Sequence, residues 1–330
     1  MDTENNKNKK LCAEWPSAAK LINDQQSNEL HQACLPLFLE LLKQEKLDHD
    51  ILPLLASVYF PLAAWIAGKH LKTPVVIGIN GAQGSGKSTL SKILNLILTQ
   101  AFNKSVLELS IDDLYLSRND RQKLADSVHP LLKVRGVPGT HDVNLANDIL
   151  KRIKSGSGSN IEIPVFDKAN DDRLAENAWR NIITPVDIIL FEGWCVGANA
   201  QAESELTQPV NSLESEEDSE GVWRHYVNQQ LKGPYKSLFS NIDYLIMLKV
   251  PGMDCVFEWR SLQEQKLAEI CNENNKPAAG IMTPAEIARF LMHYERITRS
   301  LLNEMPERAD VLLELNRQHQ IDNVVVNDGR

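Results

Sequence analysis

Residues 81–88 read Gly-Ala-Gln-Gly-Ser-Gly-Lys-Ser, the Gly-x4-Gly-Lys-Ser/Thr spacing of a loop that wraps a phosphate chain. The glycines let the backbone curl until successive N–H groups converge on an anion, and a helix starting behind them adds its partial positive charge. The candidate cradle runs through Gly81, Ala82, Gln83, Gly84, Ser85, Gly86, Lys87, Ser88 and Thr89. In such a cradle Lys87 reaches the β- and γ-phosphates of ATP, and the Ser88 hydroxyl ligates Mg2+.

Kinases, ATPases, GTPases and nucleotide-driven switches all use this loop, so the choice among them falls to carboxylates elsewhere. Asp112 follows the apolar run 106–111, at the kind of strand end where parallel sheets bind ligands. A carboxylate there can take the proton of an attacking hydroxyl, which is how a kinase activates an alcohol and contributes about 10^2 to 10^4 in rate. Glu192 closes a second apolar run, 186–191, and is placed to hold Mg2+ through water. Ser88, Glu192 and Asp112 are thus the candidate metal ligands, while Asp113 reads as a cap on the following helix or as a group one step behind the ligands.

These residues need elements to position them. Residues 74–80 form a short, β-branched apolar stretch that predicts a strand buried on both faces, and residues 90–98 repeat apolar side chains at helical spacing. Further strands are predicted at 106–111, 186–191 and 242–250, with a closing pair at 311–315 and 321–326 and a helix at 142–153. The alternation implies an α/β fold in three layers, with a mostly parallel central sheet covered on both sides. Residues 1–70 read as a polar tail and a helical extension, and 71–330 as the phosphate-loop domain.

Within this frame, residues 155–159 are a Ser/Gly connector, and residues 200–221, rich in acids and poor in apolar side chains, predict a solvated loop. The stretch 51–68 carries no charge but is interrupted by Pro53 and Pro61, which favours a buried helical hairpin over a membrane span. The net charge of −9 and the lack of a basic stripe argue against nucleic acid as a partner. Five scattered cysteines, Cys12, Cys34, Cys195, Cys255 and Cys271, suit a reducing cytoplasm rather than a disulfide framework.

The segments GINGAQGSGKSTL, SIDDLYL, HPLLKVRGVPGTHD, IPVFDKANDDR, ILFEGW, GVWRHYVN and EWRSLQEQKL, in this order over residues 60–328, resemble the D-glycerate 3-kinase family of plants, fungi and bacteria. That family sits in a wider group of phosphate-loop kinases with uridine kinase, phosphoribulokinase and pantothenate kinase. The resemblance implies transfer of phosphate from ATP to glycerate, giving 3-phosphoglycerate, with Asp112 as the base. Leu114 stands where the wider group more often has Phe, and 167–173 lack a glycine common near the Lys-x-x-x-x-Gly-Asp-Arg element of relatives.

A small anionic acceptor implies cations and donors in its pocket, for which Arg135, His141, Lys168 and Arg173 are candidates. By the same resemblance, Trp259, Arg260 and Gln263 belong to a lid over about 253–282, with Arg260 above the transferring phosphate. Arg296 and Arg299 on the later helix read as further candidates or as surface charges, and His129 with Pro130 as a wall of the acceptor pocket or a turn. Two rival readings stay open: a kinase of the same group for a nucleoside, pantothenate or a sugar phosphate, and a non-catalytic ATP-binding regulator.

Overall fold

The computed structural model describes Trp15 and residues 24–156, 160–273 and 282–327. The expected tail with Cys12, the connector residues 157–159 and the lid residues 274–281 lie outside the described residues. The main sheet contains β1 (Val75–Gly81), β2 (Val106–Ser110), β3 (Ile188–Gly193), β4 (Tyr244–Lys249), β5 (Val311–Leu315) and β6 (Ile321–Val326). Their spatial order is β6-β5-β4-β1-β3-β2, parallel throughout except for the antiparallel edge pair β5/β6.

Around the sheet lie helices α1 (Asp24–Gln44), α2 (His49–Lys69), α3 (Lys87–Gln100), α4 (Arg118–Ser127), α5 (Val143–Lys154), α6 (Ser212–Glu217), α7 (Val222–Gln230), α8 (Met253–Glu273) and α9 (Pro284–Glu304). Alternate strand residues feed two cores. Val75, Ile77, Ile79, Ile188 and Ile246 pack toward α1, α2 and α3, whereas Val76, Leu107, Leu109, Ile189 and Met247 pack toward α5 and the C-terminal half of α9. Burial on both faces explains why β1, β3 and β4 are continuous apolar runs, whereas the edge strand β2 alternates.

Two expectations need correction. Residues 51–68 are not a hairpin: they belong to α2, one helix long and apolar enough by composition to cross a membrane, in which a π-helical turn, Leu55–Tyr59, lies between Pro53 and Pro61. Leu62, Trp65 and Ile66 are buried in the first core, so the helix is apolar because it is interior. The acidic segment 200–221 is not a solvated loop either. It carries a 3-10 turn at Glu203–Leu206 and helix α6, and Glu214 and Asp218 are buried with arginine partners. In the sheet β3 lies between β1 and β2.

Two short antiparallel pairs had no clear sequence signal, Asn160–Ile163 with Arg180–Ile183 and Phe166–Asp167 with Asp172–Arg173. The turn of the second pair contains Asp171 at φ +54, a left-handed conformation that glycine adopts most easily and aspartate tolerates. Asp171 thus supplies the left-handed residue on which this turn closes.

Candidate active site

The parallel register brings the chemistry to one edge of the sheet. Glu192 on β3 lies level with Ile79 on β1 and with Ser110 on β2, so it stands between the loop after β1 and the turn after β2. The loop ends at Gly86, whose φ of 89 places it in the left-handed region as the N-cap of α3, with no side chain capping the helix. The first amides of α3 are thus left to an external acceptor, the arrangement that binds phosphate. Gly84, at φ +77, is backed by Trp259 of α8 so closely that a Cβ would lie 3.1 Å from the tryptophan Cβ.

A cleft of about 170 Å3 opens here, lined by Gln83, Gly84, Lys87 and Ser88 from the loop and by Asp112, Tyr115, Arg135 and Lys168 from the opposite wall. A larger cavity of about 720 Å3, lined by Lys232, Lys236, Phe239, Tyr244 and Arg308 among others, contains none of the motif residues.

The two carboxylates differ in their surroundings. Ser88 Oγ donates to Glu192 Oε1 at 2.9 Å, while Glu192 Oε2 is buried with no hydrogen-bond partner. A hydroxyl and an unsatisfied carboxylate oxygen beside a phosphate loop form a hard-oxygen pair that fits Mg2+. Asp112 lies in a 3-10 turn, Ile111–Leu114, that is capped by Ser110. Its Oδ1 accepts from Tyr115 Oη at 2.9 Å and its Oδ2 from Lys168 Nζ at 2.6 Å. Burial alone would raise its pKa. The charges of Lys168 and Lys87, with the hydrogen bonds from Lys168 and Tyr115, overcome that and hold it down at about 2. Asp113 turns away and joins the short hairpins instead, accepting from Phe166 N at 3.4 Å and pairing with Arg180 at 3.3 Å.

Of the four candidates for the acceptor, two line the cleft and two do not. Arg135 lies 5.4 Å above the Phe166 ring and pairs with Asp171, and its backbone is pinned from behind by Tyr294 Oη, which donates to its carbonyl at 3.0 Å. Trp194 Nε1 similarly donates to the Gly136 carbonyl at 2.9 Å. Arg173, by contrast, spends its guanidinium on the Tyr115 carbonyl at 2.8 Å and Asp142 at 3.3 Å, tying the short hairpin to the turn that carries Asp112. His141 is buried, stacked on Tyr115 at 4.4 Å and bonded through Nδ1 to Tyr235 Oη at 2.5 Å. Desolvation lowers its pKa to about 3 against a smaller opposing effect of Asp112, so it supplies no positive charge at neutral pH.

Arg260 and Gln263 of α8 reach the cleft, but Arg260 is tied to Gln263 Oε1 at 2.6 Å and to buried Glu264, with its guanidinium 5.6 Å above the Phe290 ring. Trp259 stacks on His319 at 4.2 Å and anchors the start of the lid region against the loop. Arg296 is an interior strut rather than a surface charge. It pairs with Glu214 at 2.6 Å and donates to the carbonyls of Glu205 and Gln208. Arg299 pairs with Glu295 on the helix surface, and His129 Nδ1 accepts from Leu131 N to start the turn containing Pro130. Sequence reasoning passed over Tyr115, Trp194, Phe290 and Tyr294 as cleft residues. The Asp-Asp-Leu-Tyr spacing carries the signal for Tyr115, and the ILFEGW segment carries one for Trp194, two residues past Glu192; Phe290 and Tyr294 come from α9 and carry none.

The model of the phosphoribulokinase/uridine kinase family matches residues 76–200. The uncharacterized kinase mug58 of Schizosaccharomyces pombe is 34% identical over 230 residues, which cover 67% of this chain and 78% of that protein. The chloroplastic D-glycerate 3-kinase of Arabidopsis thaliana is 28% identical over 249 residues, 72% of this chain and 50% of that longer protein. Among solved structures, D-glycerate 3-kinase from Cryptococcus neoformans var. grubii superposes with a TM-score of 0.64 at 24% identity, over 78% of this chain and 91% of that one, a likeness of fold.

Proposed function

The chain belongs to the phosphoribulokinase/uridine kinase family of P-loop kinases, and from that premise we propose that it transfers the γ-phosphate of ATP to the 3-hydroxyl of D-glycerate, giving 3-phosphoglycerate. The observation that carries this reading is a small cleft holding an ionised Asp112 opposite the phosphate loop, with Arg135 and Lys168 beside it. Arg135 and Lys168 on the wall opposite the loop suit a compact hydroxy acid, whose carboxylate a guanidinium can hold in bidentate fashion. The names of the Arabidopsis and Cryptococcus proteins support the same acceptor.

In the proposed reaction the acceptor hydroxyl gives its proton to Asp112 as its oxygen bonds to the γ-phosphorus. The bond from that phosphorus to the β–γ bridging oxygen breaks, and ADP leaves with the electron pair. Lys87 and the loop amides hold the phosphates in line and offset their charge. Mg2+ held by Ser88 and Glu192 would supply further neutralisation of the phosphate oxygens. Arg260, at the start of the lid region, is placed to join them once released from Glu264.

ADP release measured across D-glycerate, glycerol, pantothenate and uridine tests the proposal. Strong turnover of D-glycerate with little of the other three is expected. Turnover of pantothenate or uridine with none of D-glycerate would reject the acceptor, and no turnover of any, with ATP bound, would favour a regulator.

A further inference from the structure

Both oxygens of Asp112 are engaged before any acceptor arrives. Tyr115, which holds one, is buried and packed between His141 and Phe166, whereas Lys168, which holds the other, is 63% exposed and hangs from the turn between the strands Phe166–Asp167 and Asp172–Arg173. The same turn grips the second cation of the cleft, since Asp171 pairs with Arg135 as well as with buried Arg121. One four-residue turn therefore ties down the base and the acceptor-side arginine together. A carboxylate entering between Arg135 and Lys168 competes with Asp171 for the first and with Asp112 for the second. The lysine end of the pair is the exposed one, so an incoming carboxylate can approach the ammonium from solvent.

We propose that Lys168 is a latch on Asp112, drawn off by the acceptor's own carboxylate, so that the base is free only when an anionic acceptor occupies the cleft. This rests on the reading of Asp112 as the base for an anionic acceptor. Water and neutral alcohols lack the charge that moves the latch, so they meet an occupied base and ATP is not hydrolysed without purpose. The selectivity of the site then lies in the rate of the chemical step as well as in binding.

The test is Lys168→Met, which keeps the length of the side chain and removes its charge at an exposed position. Phosphate release from ATP without acceptor, and kcat and KM for D-glycerate and for glycerol, are measured in the wild type, in Lys168→Met and in Lys168→Met/Asp112→Asn. A latch predicts that Lys168→Met hydrolyses ATP without acceptor about fivefold or more faster than the wild type, that the gain vanishes in the double variant, and that KM for D-glycerate rises about tenfold with kcat nearly unchanged. The preference for D-glycerate over glycerol narrows accordingly. Unchanged or slower hydrolysis in Lys168→Met would overturn the proposal, whether Lys168 then proved a static substrate contact, with D-glycerate turnover impaired, or a bystander. If the wild type left D-glycerate untouched, the acceptor reading would fail, while the comparison of acceptor-free hydrolysis would still decide the latch.

Discussion

Asp112 owes its ionised state to its neighbours, and that has consequences at the scale of single side chains. With a folded pKa of about 2, below the ordinary aspartate value of about 3.9, it binds its proton more weakly in the folded chain. Its contribution to stability is therefore complete above about pH 4 and is lost as pH falls toward 2. Asp112→Asn keeps the shape and removes the proton acceptor, so phosphotransfer should fall by at least about 10^2 while ATP affinity by calorimetry stays nearly the same. His141 acts in the opposite sense from a salt-bridged histidine. Its folded pKa of about 3 lies below the unfolded value of about 6.5, so unfolding takes up a proton and stability declines as pH falls between the two. Urea unfolding at pH 7.5 and pH 5 should show a smaller acid loss in His141→Gln than in the wild type; equal losses would mean that His141 does not drive it. The phosphate loop and both carboxylates were legible because their spacing is local. The neutrality of His141 was not, because it depends on Tyr115 and Tyr235 closing over the ring.

Elements were legible where one periodicity dominated, as in the buried strands and α5, and illegible where pairing across the chain decided the outcome. Residues 200–221 show why. Composition counts the acids of this segment, but the fold places Glu214 against Arg296, eighty-two positions away, and uses Asp218 to cap α7 through Trp223 N at 2.7 Å. Removing one partner of a fully buried pair leaves the other charge uncompensated, so Glu214→Ala should cost about 3–5 kcal/mol in urea unfolding. Glu214→Leu combined with Arg296→Met should cost less than either single change, and a double variant as damaged as the sum would show that the pair is not coupled. The segment 135–141 has its own reason for glycine. A Cβ on Gly136, at φ +134, would collide with the Tyr294 hydroxyl. Because Tyr294 also holds the Arg135 carbonyl, Gly136→Ala should raise KM for the acceptor more than KM for ATP; equal effects would place the damage elsewhere.

For the whole molecule, the alternation of strands and helices announced a parallel sheet, yet not its order. That β3 separates β1 from β2 follows from how the crossovers pack, which no single segment encodes. The order matters, since it sets Glu192 between the loop and Asp112 and lets three strand ends converge on one cleft. The N-terminal helices complete the core on one side of the sheet, with Trp65 and Phe38 buried there, without reaching the cleft. Phosphate transfer to a small hydroxy acid is the reaction proposed for this cleft. The most direct measurement is phosphorus NMR of the products formed by the purified protein with Mg-ATP and D-glycerate. The account predicts ADP and 3-phosphoglycerate in equal amounts; ADP with inorganic phosphate alone, or a phosphate on the 2-hydroxyl, would contradict it.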